Sequence, residues 1–293
     1  MKSISPSNIV RGKSPCALYT PVLLVSLTAG HFLSSDVQAA KLTPATVQAW
    51  DRYFAWADAN VKRQLREPGR FLIADFFPPA ERQAVRRELE SGAVVVRKVH
   101  GVVPPGTPFE VPDGEIHHWW GTILVPNVTL ENLLPFLQDY DHHAGRFADV
   151  ERSHLISKNG NHYRFCLRLK RSKAIVTAYY NTEQECDYFS HGDGKASSRS
   201  IATRIAEIAD AGKPSEHEYP PGNDRGFLWR LVSWWRFEQI DKGVIVECES
   251  ASLSRDIPVI AKLIPGVSSY IRSTPRESLE SVLTSIRTYS PRK

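Results

Sequence analysis

Four imidazoles and two carboxylates fall within 27 positions: His117-His118, then Asp139, Asp141 and His142-His143. That inventory suits a metal ion or general acid–base chemistry, in which a histidine moves a proton beside a charged partner. Spacing argues against the metal. Adjacent strand residues point to opposite faces, so at most one of His117 and His118 reaches a given pocket, and the second pair sits where Asp-Tyr-Asp also suits helix capping. No HExxH, CxxC or three-histidine pattern occurs, and no metal site is assigned. A second constellation, Arg204, Glu207, Arg230, Arg236, Glu238, Glu247 and Glu249, puts charges of both signs on three successive strand candidates. It reads either as an outer face laced with cross-strand ion pairs or as a charged cluster inside a cavity. Aromatic residues make the third group, with Trp119, Trp120, Tyr179, Tyr180, Trp229, Trp234 and Trp235 filling a core or lining a pocket. Alternation sets Arg230 and Arg236 on the face of Trp234, opposite Trp229, Trp235 and Phe237.

The elements that must position these groups are preceded by a targeting pattern. Lys2, Arg11 and Lys13 lead into an uncharged stretch over 17–33, and Val37-Gln38-Ala39 supplies the residues a signal peptidase needs. Residues 1–39 therefore read as a signal peptide cut after Ala39, which implies a periplasmic or secreted protein; an uncleaved anchor is the alternative. Across the 293 residues, 42% hydrophobic and 24% charged composition is that of a globular chain. The formal net charge of +5 is mild and its basic residues are scattered. That excludes a nucleic-acid footprint and leaves only peripheral attraction to anionic membranes. Cys16 would leave with the leader, and Cys166, Cys186 and Cys248 read as three buried thiols, with one disulfide plus one free thiol as the alternative.

Thr43-Pro44 opens an amphipathic helix carrying Val47, Trp50, Phe54, Ala57, Val61 and Leu65, and a second helix spans 79–90. These make a helical N-terminal extension over 40–100, joined by a Pro/Gly-rich linker over 101–114 to a domain over 115–290. In that domain a strand over 116–126 precedes a helix capped by Thr129 and a short helix near 141–147. Six strands follow, over 151–157, 162–170, 174–186, 197–209, 227–239 and 244–254, separated by turn residues. Asp256 and Pro258 can open a helix that Pro265-Gly266 interrupts. Thr274-Pro275-Arg276-Glu277 forms a capping box that opens a helix carrying Leu279, Val282, Leu283 and Ile286. The fold class is α+β: a curved antiparallel sheet of about seven strands gripping a long C-terminal helix.

This order, with Ile116-His117-His118-Trp119-Trp120-Gly121, Gln138-Asp139-Tyr140-Asp141-His142-His143 and Ser254-Arg255-Asp256-Ile257-Pro258, resembles exported bacterial members of the START-like, polyketide-cyclase-type (SRPBCC) superfamily. The resemblance implies a helix-grip fold with a cavity between sheet and helix for lipids, sterols or polyketides; only some members catalyse reactions there. The expectation is an exported protein that holds a hydrophobic or amphipathic small molecule, lipid-like or polyketide-like, on Trp120, Tyr140, His143, Tyr180, Arg230 and Trp234. The alternative is a cyclase or dehydratase using His118 or His142 as general base, with Arg204 stabilising an oxyanion. A scaffold whose N-terminal helices dock a partner is the third reading. No GxSxG, P-loop or GxGxxG occurs, so no cofactor is expected.

Overall fold

The computed structural model describes residues 40–99, 109–173, 176–256 and 267–289, the side chains of 40, 176 and 267–271 excepted. The expected leader, most of the linker and the helix start expected at Pro258 lie outside the described residues. In chain order the elements are β1 (Ala40–Lys41), α1 (Pro44–Leu65), α2 (Pro79–Glu90), β2 (Val95–Lys98), β3 (Gly114–Pro126) and α3 (Leu130–Gln138). Then come β4 (Val150–Asn159), β5 (His162–Lys173), β6 (Val176–Gly192), β7 (Lys195–Ala209), β8 (His217–Glu218), β9 (Asn223–Asp224), β10 (Arg230–Ile240), β11 (Gly243–Arg255) and α4 (Val267–Arg287).

One sheet runs in the order β2-β3-β11-β10-β7-β6-β5-β4, with β8 added to β7 and every pairing antiparallel. With α4 laid on it, this is the helix-grip arrangement, and it has two strands more than the expected seven because β2 and β8 join the sheet. Alternation along β3 divides the layers. His117, Trp119, Gly121, Ile123 and Val125 face α3 and α4, where Ile123, Leu133, Leu283 and Ile286 share a buried cluster. His118, Trp120 and Leu124 face the other way, towards α1, α2 and the segment between them. On that outer face Trp50, Tyr53, Ala57 and Val61 of α1 pack on Val232, Trp234, Ala251 and Leu253. The sheet is thus covered on both sides, which explains why its central strands are apolar on both faces.

Three local expectations are corrected. Pro275 lies inside α4 rather than at its start, because the helix is already running from Val267 and Glu277 pairs with Lys173 instead of capping. The helix expected near 141–147 shrinks to a 3₁₀ turn over Tyr140–His142, since Gly145 turns the chain at φ +83°. Trp229 precedes β10, so alternation does not govern it, and it joins Trp234 in the outer-face cluster, donating to Asp224 at 3.0 Å.

α4 approaches β3 where β3 has no side chain. A Cβ on Gly121 would stand 2.5 Å from Leu283 Cδ1 and 3.2 Å from the Val95 carbonyl oxygen. Gly121→Val should therefore force α4 off the sheet and destabilise the protein by about 1–3 kcal/mol, the usual cost of overpacking. Urea unfolding checks this; an unchanged midpoint would show that the contact is not needed.

Candidate functional site

Between α4 and the sheet lies a cavity of about 290 Å³, at the lower limit of the range of small-molecule sites. Its floor comes from alternate residues of β5, β6, β7, β10 and β11, and its roof from Leu279, Val282 and Ile286 of α4. Leu137 of α3, Tyr140, His143 and Phe147 close one end, and Asp149, Lys170, Arg171, Phe227 and Leu228 rim the other. The walls are mainly Leu, Phe, Val and Trp, whereas small hydroxyl residues occupy the centre of the floor: Ser198 and Ser200 on β7, Ser233 on β10, Ser250 and Ser252 on β11. Serine keeps the floor low. A leucine at any of these positions would fill space that the curved sheet leaves between itself and α4.

The closed end is fixed by aromatic contacts. The Tyr140 ring stacks on Phe165 with centroids 3.8 Å apart, and its hydroxyl shares a hydrogen bond with that of Tyr188 at 3.1 Å. Burial, reinforced by Tyr188, holds the Tyr140 hydroxyl well above its ordinary pKa, so it stays protonated. His143 meets the Leu137 carbonyl at 3.0 Å; its Nε2 is therefore the protonated nitrogen and Nδ1 the acceptor. Burial drives its pKa down to about 4, and the imidazole is neutral at physiological pH.

Of the residues singled out from sequence, Tyr140, His143 and Tyr180 line this cavity. Trp120, Arg230 and Trp234 do not, because their strand positions alternate to the outer face; the cavity takes Trp235 and Phe237 instead. The three candidates for catalysis stand apart. His118 is buried on the outer face, His142 is exposed and pairs with Asp139 at 2.7 Å, and Arg204 pairs with Glu218. Among the described residues that line the cavity the one carboxylate is Asp149, at the rim, where it is paired with Arg171. Cys186 and Cys248 are free thiols lining the cavity. Among the described residues no group of three or more His, Cys, Asp or Glu could hold a metal ion, and no helix is long and apolar enough to cross a membrane.

The charged constellation follows its outer-face reading in part, with Glu238 and Lys195 paired across β10 and β7, but its central members are buried rather than exposed. Arg236, Glu247 and Glu249 are buried on the outer face, under the N-terminal helices, while Glu207 pairs with Arg225 and Glu238 with Lys195 at the margins. Arg236 donates to the Phe71 carbonyl at 2.9 Å and to Gln64 Oε1 at 2.6 Å. Glu247 accepts from the backbone N–H groups of Ile73 and Ala74. Glu249 lies 2.9 Å from His118 Nε2, and His118 Nδ1 lies 2.6 Å from the Tyr53 hydroxyl. Burial alone would raise Glu249, but the His118 hydrogen bond and the nearby charges outweigh it and hold its pKa below the ordinary value. For Glu247 burial wins over the attraction of Arg236, and its pKa rises to about 7.

The cavity serines were the missed signal. They stand at alternate strand positions in Ser197-Ser198-Arg199-Ser200 and Ser250-Ala251-Ser252-Leu253-Ser254, a period-2 row of small residues on one face.

No family model matches the chain, and no curated protein sequence matches it. Solved structures similar to it include a STAR-related lipid transfer protein fragment from Xanthomonas axonopodis, 17% identical, covering 67% of this chain and 92% of that one with a TM-score of 0.46. The human StarD13 lipid transfer and protein localization domain is 8% identical, covering 74% of this chain and 100% of that one with a TM-score of 0.40. The Zhui aromatase/cyclase from Streptomyces sp. R1128 is 13% identical, covering 59% of this chain and 92% of that one with a TM-score of 0.34. The helix-grip assignment rests on the strand order and on the seat of α4.

Glu247 makes stability depend on pH in a defined direction. Between pH 4.5 and about 7 the folded state keeps a proton on Glu247 that the unfolded chain has lost, so stability falls as pH rises through this window. The buried His143 and His117, both with pKa lowered to about 4, act oppositely as pH drops below 6.5. A difference measurement isolates the carboxyl: against Glu247→Gln, the parent protein should gain on the order of 2 kcal/mol between pH 7 and pH 5. Parallel pH profiles of the two in urea titrations would refute the assignment.

Proposed function

We propose that this chain is an exported binding protein that holds a hydrophobic or amphipathic small molecule, lipid-like or polyketide-like, between its sheet and α4. The observation that carries the reading is the 290 Å³ cavity itself, with apolar walls and a hydroxyl-lined floor. An apolar guest gains about 25 cal/mol for each Å² it removes from water, and a few fixed polar groups orient it. Binding is favoured over catalysis because His143 commits Nε2 to the Leu137 carbonyl, and the carboxylate among the described lining residues, Asp149, is paired with Arg171 at the rim. The remaining catalytic candidates, His118, His142 and Arg204, point elsewhere. The likeness in fold to lipid transfer proteins and an aromatase/cyclase is compatible with either role.

Export is part of the proposal. The signal-peptide pattern ends at Ala39, and β1 begins at Ala40 and pairs with β9, so a cut after Ala39 leaves that strand whole. Sequencing the amino terminus of the product released by a bacterial host should return Ala40. A cytoplasmic product that retains Met1 would overturn this part of the reading.

For the ligand, native mass spectrometry of the purified protein should find a bound species of discrete mass. The double variant Ser233→Leu/Ser250→Leu, which fills the floor, should lose that species while keeping its circular dichroism spectrum. The reading fails if the parent protein carries no guest and takes up no offered long-chain fatty acid.

A further inference from the structure

The hydroxyls of the cavity form a belt across its middle. On β10 the cavity-facing residues run Leu231, Ser233, Trp235, Phe237, so one hydroxyl stands between apolar neighbours. Register sets Ser200 of β7 and Ser250 of β11 directly opposite Ser233. Ser200 Oγ donates to Gln184 Oε1 on β6 at 3.1 Å, which extends the belt over four adjacent strands. Ser252 lies beside it, opposite Leu231.

Much of this belt's hydrogen-bonding capacity is unused. Ser233 Oγ accepts from Trp235 Nε1 at 3.0 Å and keeps its own proton to donate. Ser200 keeps its acceptor lone pairs. The hydroxyls of Ser250 and Ser252 have no partner among the described residues, although Ser252 is only 5% exposed. A buried hydroxyl is costly when unpaired. Here four hydroxyls, two of them already engaged in one hydrogen bond each, face one empty space, with apolar residues on both sides along the strand direction: Leu231 and Leu228 towards the rim, Trp235, Phe237 and Phe165 towards the closed end.

Resting on the binding reading above, we propose that the guest carries a hydroxyl or oxo oxygen in the middle of its length, flanked by two apolar arms. A mid-chain oxygenated fatty acid is the simplest molecule of that class. The span from Leu231 to Phe237 is about 20 Å at roughly 3.3 Å per residue, comparable with an extended long-chain fatty acid. A terminal carboxylate then lies at the rim near Lys170, and the mid-chain oxygen meets Ser200, Ser233 and Ser250.

The test compares octadecanoate, 2-hydroxyoctadecanoate and 10-hydroxyoctadecanoate by calorimetric titration of the whole chain and of its Ser200→Ala/Ser233→Ala/Ser250→Ala variant. The parent protein should bind the 10-hydroxy acid about tenfold more tightly than the other two, the effect of one or two well-made hydrogen bonds. The triple variant should bind all three alike, and a circular dichroism spectrum matching the parent's reports that it is folded. Equal affinities in the parent protein, or a preference that survives in the variant, overturn the proposal and leave the binding reading standing. Failure of all three acids to bind the parent protein overturns the proposal, and overturns the binding reading as well when native mass spectrometry also finds no guest.

Discussion

The close seat of α4 on β3 at Gly121 governs the volume of the cavity. β3 lies near one edge of the sheet, and Leu279 and Leu283 press against it where no Cβ intervenes. At the opposite edge β4, β5 and β6 are not held by α4 in this way, and the sheet leaves a gap that α3 and the 140–147 segment close at one end. Anchoring on one side thus creates space on the other. Protein interiors otherwise pack to crystal-like density, so a gap of this size persists only where side chains are too short to fill it. The serines of β7, β10 and β11 meet that condition.

The two faces of the sheet are specialised differently. The outer face is sealed: Arg236, Glu247 and Glu249 are buried there, and their partners include Gln64, the Phe71 carbonyl and the N–H groups of Ile73 and Ala74. An unpaired charge in such a place costs several kcal/mol. The segment from α1 to Ala74 therefore completes the sheet's electrostatics as well as its apolar packing, and these charges tie it to the domain. The cavity face carries hydroxyls and thiols in place of ions, which suits an uncharged surface of a guest.

Element order was readable from turn chemistry and hydrophobic period, as with the strand–helix–strands–helix run from β3 to α4. Alternation also sorted residues correctly within a strand, since Arg230, Arg236 and Trp234 do share a face on β10. It could not say which face looks inward. That depends on α1 covering one side and α4 the other, a tertiary fact that no single strand encodes. Hence Trp234 and Trp120 were expected in the cavity that Trp235 occupies. The serines escaped notice for a different reason: a hollow is defined by missing bulk, and short polar residues in strands look like ordinary solvent-facing positions. Pro275 misled because a capping box is a local pattern, and the turn before it already has helical geometry.

The ladder of β1 with β9 joins the chain at Ala40–Lys41 to Asn223–Asp224, reinforced by the Leu42 amide on the Gly222 carbonyl at 2.7 Å. The same loop continues within a few residues to Phe227 and Leu228 at the rim of the cavity. Tension applied at Ala40, by an engineered tether or a surface attachment, is delivered through this short zipper to the doorway. Tension applied beyond α4 acts on the roof instead. The two ends of the molecule are mechanically inequivalent handles.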